Sequence, residues 1–165
     1  MARKVAYCGM LIALAMIFSY VEALIPINFG IPGVKLGLAN LVVLYGLYMM
    51  RPQEVLMVSV SRILLNGFMF GNGMSILYSL AGGLLSFIVM LALIRSRKFS
   101  PVTVSIAGGV SHNIGQIIVA VLVLKSIQLF SYLPVLIISG MMTGAVMGIL
   151  HGIVNRALRS FSDGM

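Results

Sequence analysis

The sequence predicts an all-α integral membrane protein, a six-transmembrane-helix bundle with both termini in the cytoplasm, and three observations carry that prediction. Hydrophobic residues make up 61% of the 165-residue chain and charged residues 8%, whereas soluble domains carry about 25% charged residues. The eleven cations and three acids fall mostly in short gaps between long apolar runs. The cations also segregate. Arg3, Lys4, Arg51, Arg95, Arg97, Lys98, Arg156 and Arg159 lie on one side of the assigned spans, and only Lys35 and Lys125 on the other. Cytoplasmic loops retain Lys and Arg, so this split places both termini inside and supports six spans. Mean hydropathy is +1.13, and with no polar linker or composition shift the economical reading is one domain, residues 1–165.

The first span, residues 5–25, follows Arg3 and Lys4 and so imitates a signal peptide. Its apolar run outlasts the usual h-region, ends without a small-x-small site and precedes further spans, which favours a retained helix. Ala2, Ala6, Gly9 and Ala13 form one small-residue face on it, suited either to packing within the bundle or to docking another membrane subunit. The lone Cys8 allows neither an intrachain disulfide nor a cysteine zinc site. Residues 26–33 hold two prolines and two glycines, exclude regular helix and suit a lid over the bundle mouth.

The second and third spans, 36–50 and 55–70, are joined by the tight gap Arg51–Glu54, which makes them antiparallel neighbours. Ser59, Arg62 and Asn66 follow i, i+3, i+7 and share a face of the third span. Arg62 sits about ten residues, roughly 15 Å, beyond Pro52, at a depth where insertion costs about 2.5–3.5 kcal/mol. Either backbone and amide groups of neighbouring helices satisfy it, or it anchors an anionic ligand. Glu54 lies at one boundary and Glu22 near the other, so the sequence offers no carboxylate at its depth.

The glycine-rich turn 71–75 leads to the fourth span, 76–94, and a second tight basic gap leads to the fifth, 102–124. There Ser105, Gly109, His112 and Gln116 follow i, i+4, i+7, i+11 with Asn113 beside them. Polar groups avoid lipid, so the third and fifth spans are expected to turn these faces into one cavity, with Asn40 and Lys35 at its rim. A hydrogen-bonded structural imidazole is the plainer reading of His112, and no Cys or carboxylate accompanies it to make a metal site. Phe130 and Tyr132, before the sixth span at 133–154, suit an interfacial belt. In that last span Gly140, Gly144, Gly148 and Gly152 make three consecutive GxxxG steps, expected to pack against another helix of the same bundle.

Absences narrow the function. No GxxxxGK[ST] loop is present, so ATP hydrolysis would fall to partners. Asp163 is the only aspartate, and three acids make a poor magnesium site for diphosphate chemistry. No enzyme activity, cofactor or metal is expected. The cations form no stripe with interleaved aromatic residues, which argues against nucleic acid and for attraction to lipid headgroups.

The segments Pro32-Gly33-Val34-Lys35-Leu36-Gly37-Leu38-Ala39-Asn40, Ser61-Arg62 with Asn66-Gly67, and Ser111-His112-Asn113-Ile114-Gly115-Gln116 resemble the bacterial Gx transporter family, often labelled heptaprenyl diphosphate synthase component I. Such proteins look like the substrate-binding S components of energy-coupling factor transporters. The resemblance implies a six-helix bundle with an externally facing pocket under the first loop, working with a transmembrane coupling subunit and two cytoplasmic ATPases. It also implies a docking role for Ala2, Ala6, Gly9 and Ala13, with Gly9 where the related face is alanine-rich. The leading expectation is uptake of a small, anionic vitamin or metabolite precursor, bound by Arg62, Asn66, Lys35, Asn40, His112, Asn113 and Gln116. The alternative is a non-catalytic membrane subunit assembling an isoprenoid, quinone or extracytosolic electron-transfer system. A passive channel fits less well, because an arginine among amides resembles a binding site more than a water-filled pore.

Overall fold

The computed structural model describes the backbone of residues 2–24 and 38–163 and the side chains of residues 5–21 and 40–157. Within them lie six α-helices: α1 Ala2–Leu24, α2 Leu38–Met49, α3 Pro52–Phe70, α4 Gly73–Ser96, α5 Pro101–Leu124 and α6 Leu133–Asp163. A 3-10 segment, Ile127–Tyr132, precedes α6, and no strand occurs among the described residues.

Local chemistry explains where the helices begin. α3 starts three residues before its expected boundary because Pro52 supplies a preset φ at the first helical position and the Glu54 carboxylate accepts from the Arg51 N–H at 3.2 Å. α4 also starts early. Asn72 accepts from the Ser75 N–H at 2.8 Å while the Ser75 hydroxyl accepts from the Asn72 N–H at 2.9 Å, a reciprocal cap. Ser100 caps α5 through the Thr103 N–H, again with a proline next. Arg97 and Lys125 close α4 and α5 in the left-handed region, at φ 54° and 50°.

The helices alternate in direction. One end of the bundle, here the basic end, carries the turns at Arg51 and at Arg97–Ser100; the opposite end carries Gly71–Asn72 and the 3-10 segment. The Tyr20 and Phe70 rings meet at 5.6 Å, so α1 finishes at the opposite end beside the finish of α3.

Two close-packed groups result. α5 lies between α4 and α6, brought in by glycine. A methyl group at Gly140 would stand 2.8 Å from the Gly109 carbonyl oxygen, one at Gly144 2.6 Å from the Ile106 Cα, and one at Gly148 2.6 Å from the Val102 Cα. The glycine stripe of α6 thus faces α5 for three of its four members. Gly152 departs from the expectation: it has open space within 4 Å, because the contact with α5 ends near Val102, in the first turn of that helix. In the other group α1 packs on α2 and α3, around Leu11, Ala15, Val42 and Val58. The two groups join through Val43, Leu44, Leu47, Val55, Phe87, Met90 and Val104.

The surface is apolar as well. Val5, Met57, Phe68, Leu122 and Ile127 are each at least 70% exposed, and large apolar side chains cover all six helices, far beyond the few hundred Å² of patch that a soluble monomer tolerates. Gly73–Ser96, Pro101–Leu124 and Ile127–Ala157 are long and apolar enough to cross a membrane; Val5–Val21 and Asn40–Met49 are shorter apolar stretches. This is a membrane protein. Lipid tails are as apolar as leucine, so close van der Waals contact rather than escape from water holds such helices together, and the glycine contacts of α5 supply it.

Candidate functional site

Arg62 and Asn40 meet at mid-height. Arg62 is ten residues into α3 from the basic end and Asn40 nine residues back along α2 from the same end, so a rise of 1.5 Å per residue puts both at roughly 14–15 Å. There the Arg62 Nη2 donates to the Asn40 Oδ1 at 3.3 Å. Arg62 is only 9% exposed, and Ser59, one turn nearer the basic end on the same face, is 3% exposed. Asn66, one turn the other way, is half-buried.

Asn40 also faces a cavity of about 20 Å³ lined by Ser86 and Met90 of α4, Ser105, Gly108 and Gly109 of α5, and Thr143, Gly144 and Met147 of α6. Such a space accommodates a single water. Two buried serines, a threonine and an amide meet there at the seam between α2 and the α4–α5–α6 group.

The polar residues of α5 do not converge with those of α3 in the expected way, because α4 intervenes. Its adjacent glycines face opposite neighbours: a methyl at Gly83 would meet the Ile63 side chain of α3 at 2.8 Å, and one at Gly82 would meet the His112 carbonyl oxygen of α5 at 2.6 Å and the Gln116 Cγ at 2.9 Å. His112 and Gln116 therefore lie over α4. Asn113 turns to α6, its Nδ2 donating to the Leu136 carbonyl at 2.7 Å. Only Ser105 and Gly109 of the α5 face reach the cavity. Of the sequence-derived site residues, Arg62 and Asn40 are brought together, Asn66 adjoins Arg62 on α3, His112, Asn113 and Gln116 are placed elsewhere, and Lys35 lies outside the described residues.

The small face of α1 points away from the bundle. Ala6, Gly9 and Ala13 are exposed, a methyl at Gly9 would touch nothing within 4 Å, and Leu11, Ala15 and Ser19 form the buried side instead. The side chain of Ala2 and the loop 26–33 are outside the described residues.

Sequence reasoning overlooked Ser86 and Thr143. Their signal lies in the glycine pattern: Ser86 follows Gly82 by one turn on a face that continues to Met90, and Thr143 precedes Gly144. It also overlooked His151, 3% exposed on α6, whose ring lies 5.9 Å from that of Tyr45 and 5.1 Å from that of Tyr48 on α2. The i, i+3 tyrosine pair was the available sign of an aromatic contact. Among the described residues no group of three or more His, Cys, Asp or Glu side chains could hold a metal ion.

No curated protein and no solved structure matches the chain. A family model does match, over residues 11–154, a stretch that holds the Arg62–Asn40 pair, the cavity and the glycine stripes, and the chain belongs to that family, heptaprenyl diphosphate synthase component I.

Proposed function

We propose that the chain is the membrane-embedded substrate-binding component of an energy-coupling-factor-type transporter, crossing a bacterial cytoplasmic membrane six times with both termini inside and taking up a small anionic vitamin or metabolite precursor. One observation carries this reading: a guanidinium 9% exposed at mid-height, held across helices by Asn40. A cation at that depth is costly and is characteristically retained for binding or transport, and its planar set of donors suits carboxylate or phosphate oxygens. The adjacent cavity is too small for a metabolite. The bulk of the ligand would lie toward the opposite end, where α2 begins, with Lys35 as a second cation at the rim.

The exposed small-residue face of α1 supports the same reading. Bare helix surface at Ala6, Gly9 and Ala13 permits close approach of a coupling subunit, which would bring the ATPases that this chain does not encode through a phosphate loop. The description of the family favours a second reading, a non-catalytic membrane subunit that assembles a prenyl diphosphate synthase. Native mass spectrometry of protein released gently from membranes separates the two. The transporter reading expects a small anion on the wild-type chain and its loss in Arg62→Gln. A bare wild-type chain that brings down a soluble prenyl synthase overturns it in favour of assembly.

A further inference from the structure

We infer that the cavity between α2 and the α4–α5–α6 group is a built site for one water molecule, and that this water fastens Asn40, the partner of Arg62, to α4 and α5. The walls carry the inference. Ser86 is 3% exposed and Ser105 7%, and among the described residues neither hydroxyl takes part in a hydrogen bond, whereas Ser111 on the same α5 donates to its own helix at the Ala107 carbonyl, 2.7 Å away. A buried serine ordinarily makes that bond or finds another partner. Both serines line a space of about 20 Å³. That volume exceeds what one water needs, and two to four polar partners are what holds a water in place.

The position of the groups gives the water its role. The Ser86 hydroxyl reaches across to α5, where it would stand 3.3 Å from a methyl at Gly108, and the Ser105 Cβ would stand 3.2 Å from one at Gly148 on α6. Among the described residues lining the cavity, Asn40 is the only one from the α1–α2–α3 group. Its Oδ1 accepts from Arg62, which leaves its amide N–H groups as donors. A water taking a bond from Asn40 and exchanging bonds with the two hydroxyls completes a chain from Arg62 to α5. A metal cation fits poorly, since among the described residues no carboxylate lines the space, and the Arg62 guanidinium bonds to Asn40 at its edge. The site does not depend on the transporter reading. Ser86 and Ser105 become positioning residues for Arg62, acting through Asn40.

A structure of the full chain in lipid, at a resolution that shows solvent, tests the site. One solvent peak within hydrogen-bond distance of both serine hydroxyls is expected; a dry cavity, or a peak with the anomalous signal of an ion, overturns it. A double-mutant cycle with Ser86→Ala and Ser105→Ala tests it independently by thermal melting. Two hydroxyls on one water are coupled, so each single variant lowers the melting temperature and the double variant lowers it by clearly less than the sum. Additive losses, or a rise in Ser105→Ala, mean that the hydroxyls share no water.

Discussion

Arg62 and Asn40, 22 positions apart, join α3 to α2 through a 3.3 Å hydrogen bond at the mid-height of the bundle. The bond fixes one corner of a planar guanidinium that carries five N–H donors in all. Substitution of the acceptor therefore separates anchoring from binding. Asn40→Leu removes this acceptor and is expected to cost about 1–3 kcal/mol, the range for losing a hydrogen bond to a buried charged group. Asn40→Asp puts a carboxylate at the guanidinium and is expected to melt at or above the wild-type temperature. If Arg62 anchors an anion as proposed, the same variant is expected to lose anion binding, because its own carboxylate occupies the cation. Thermal melting beside native mass spectrometry reads both effects; an Asn40→Asp protein that still carries an anion would sink the assignment of Arg62 as its anchor.

The glycine stripe of α6 offers an internal contrast. In Gly144→Ala the new methyl would lie 2.6 Å from both the Ile106 Cα and the Ser105 carbonyl oxygen, backbone that cannot swing aside. The helices must part, at about 1–3 kcal/mol or more. Gly152→Ala meets nothing within 4 Å and gains helix propensity of up to about 1 kcal/mol. Melting temperatures should move in opposite directions, and equal losses at both positions would show that α5–α6 contact extends to the basic end.

Much of this architecture is legible in the sequence because lipid imposes a simple rule: long apolar runs become helices, and charged gaps become ends. The glycines at 140, 144 and 148 could be read as a packing stripe because small residues four apart have few other uses in lipid. The neighbour of each helix could not be read. Placing Arg62 and His112 on one cavity assumed that α3 and α5 touch, and the adjacent glycines 82 and 83 that let α4 fit between them carry no sign of which way each faces. Asn113 shows the same limit. Its amide could serve a ligand or a carbonyl, and only the approach of Leu136 on α6 decides.

His151 is expected to act through its ring. It is buried between Tyr45 and Tyr48, and among the described residues no hydrogen bond reaches its Nδ1. His151→Phe keeps the ring contacts and removes a buried unsatisfied nitrogen, so its melting temperature should equal or exceed that of the wild type. His151→Ala opens a void at the α2–α6 contact and should cost about 2–5 kcal/mol. A destabilised phenylalanine variant would show that the imidazole nitrogens bond to something essential.

Orientation can be tested at two exposed turns. With Cys8 replaced by alanine, a cysteine at Asn72 is expected to react with an impermeant maleimide on intact cells, and one at Ser96 only after the membrane is opened. Both positions are exposed, so access depends on the side of the membrane. Labelling of Ser96→Cys from outside would reverse the topology inferred from the basic end.

The exposed face of α1 makes the sharpest test of a partner. Gly9→Leu and Ala13→Leu add bulk where the bundle has none to displace: Gly9 has open space within 4 Å, and Ala13 lies on the same exposed face. Neither variant should therefore be destabilised, and Gly9→Leu should stabilise the helix slightly, since leucine exceeds glycine in helix propensity by up to about 1 kcal/mol. Close approach of a second membrane helix is a different matter. Small residues allow backbones to come within van der Waals reach, and leucine at either position holds them apart. If the proposed transporter reading holds, coexpression with candidate coupling-subunit and ATPase genes of the same genome, followed by detergent extraction, should recover a complex with the wild-type chain and lose it with either variant, at a melting temperature no lower than that of the wild type. Full recovery with both variants would mean that no partner uses this face, and loss of folding in either would mean that it belongs inside the bundle.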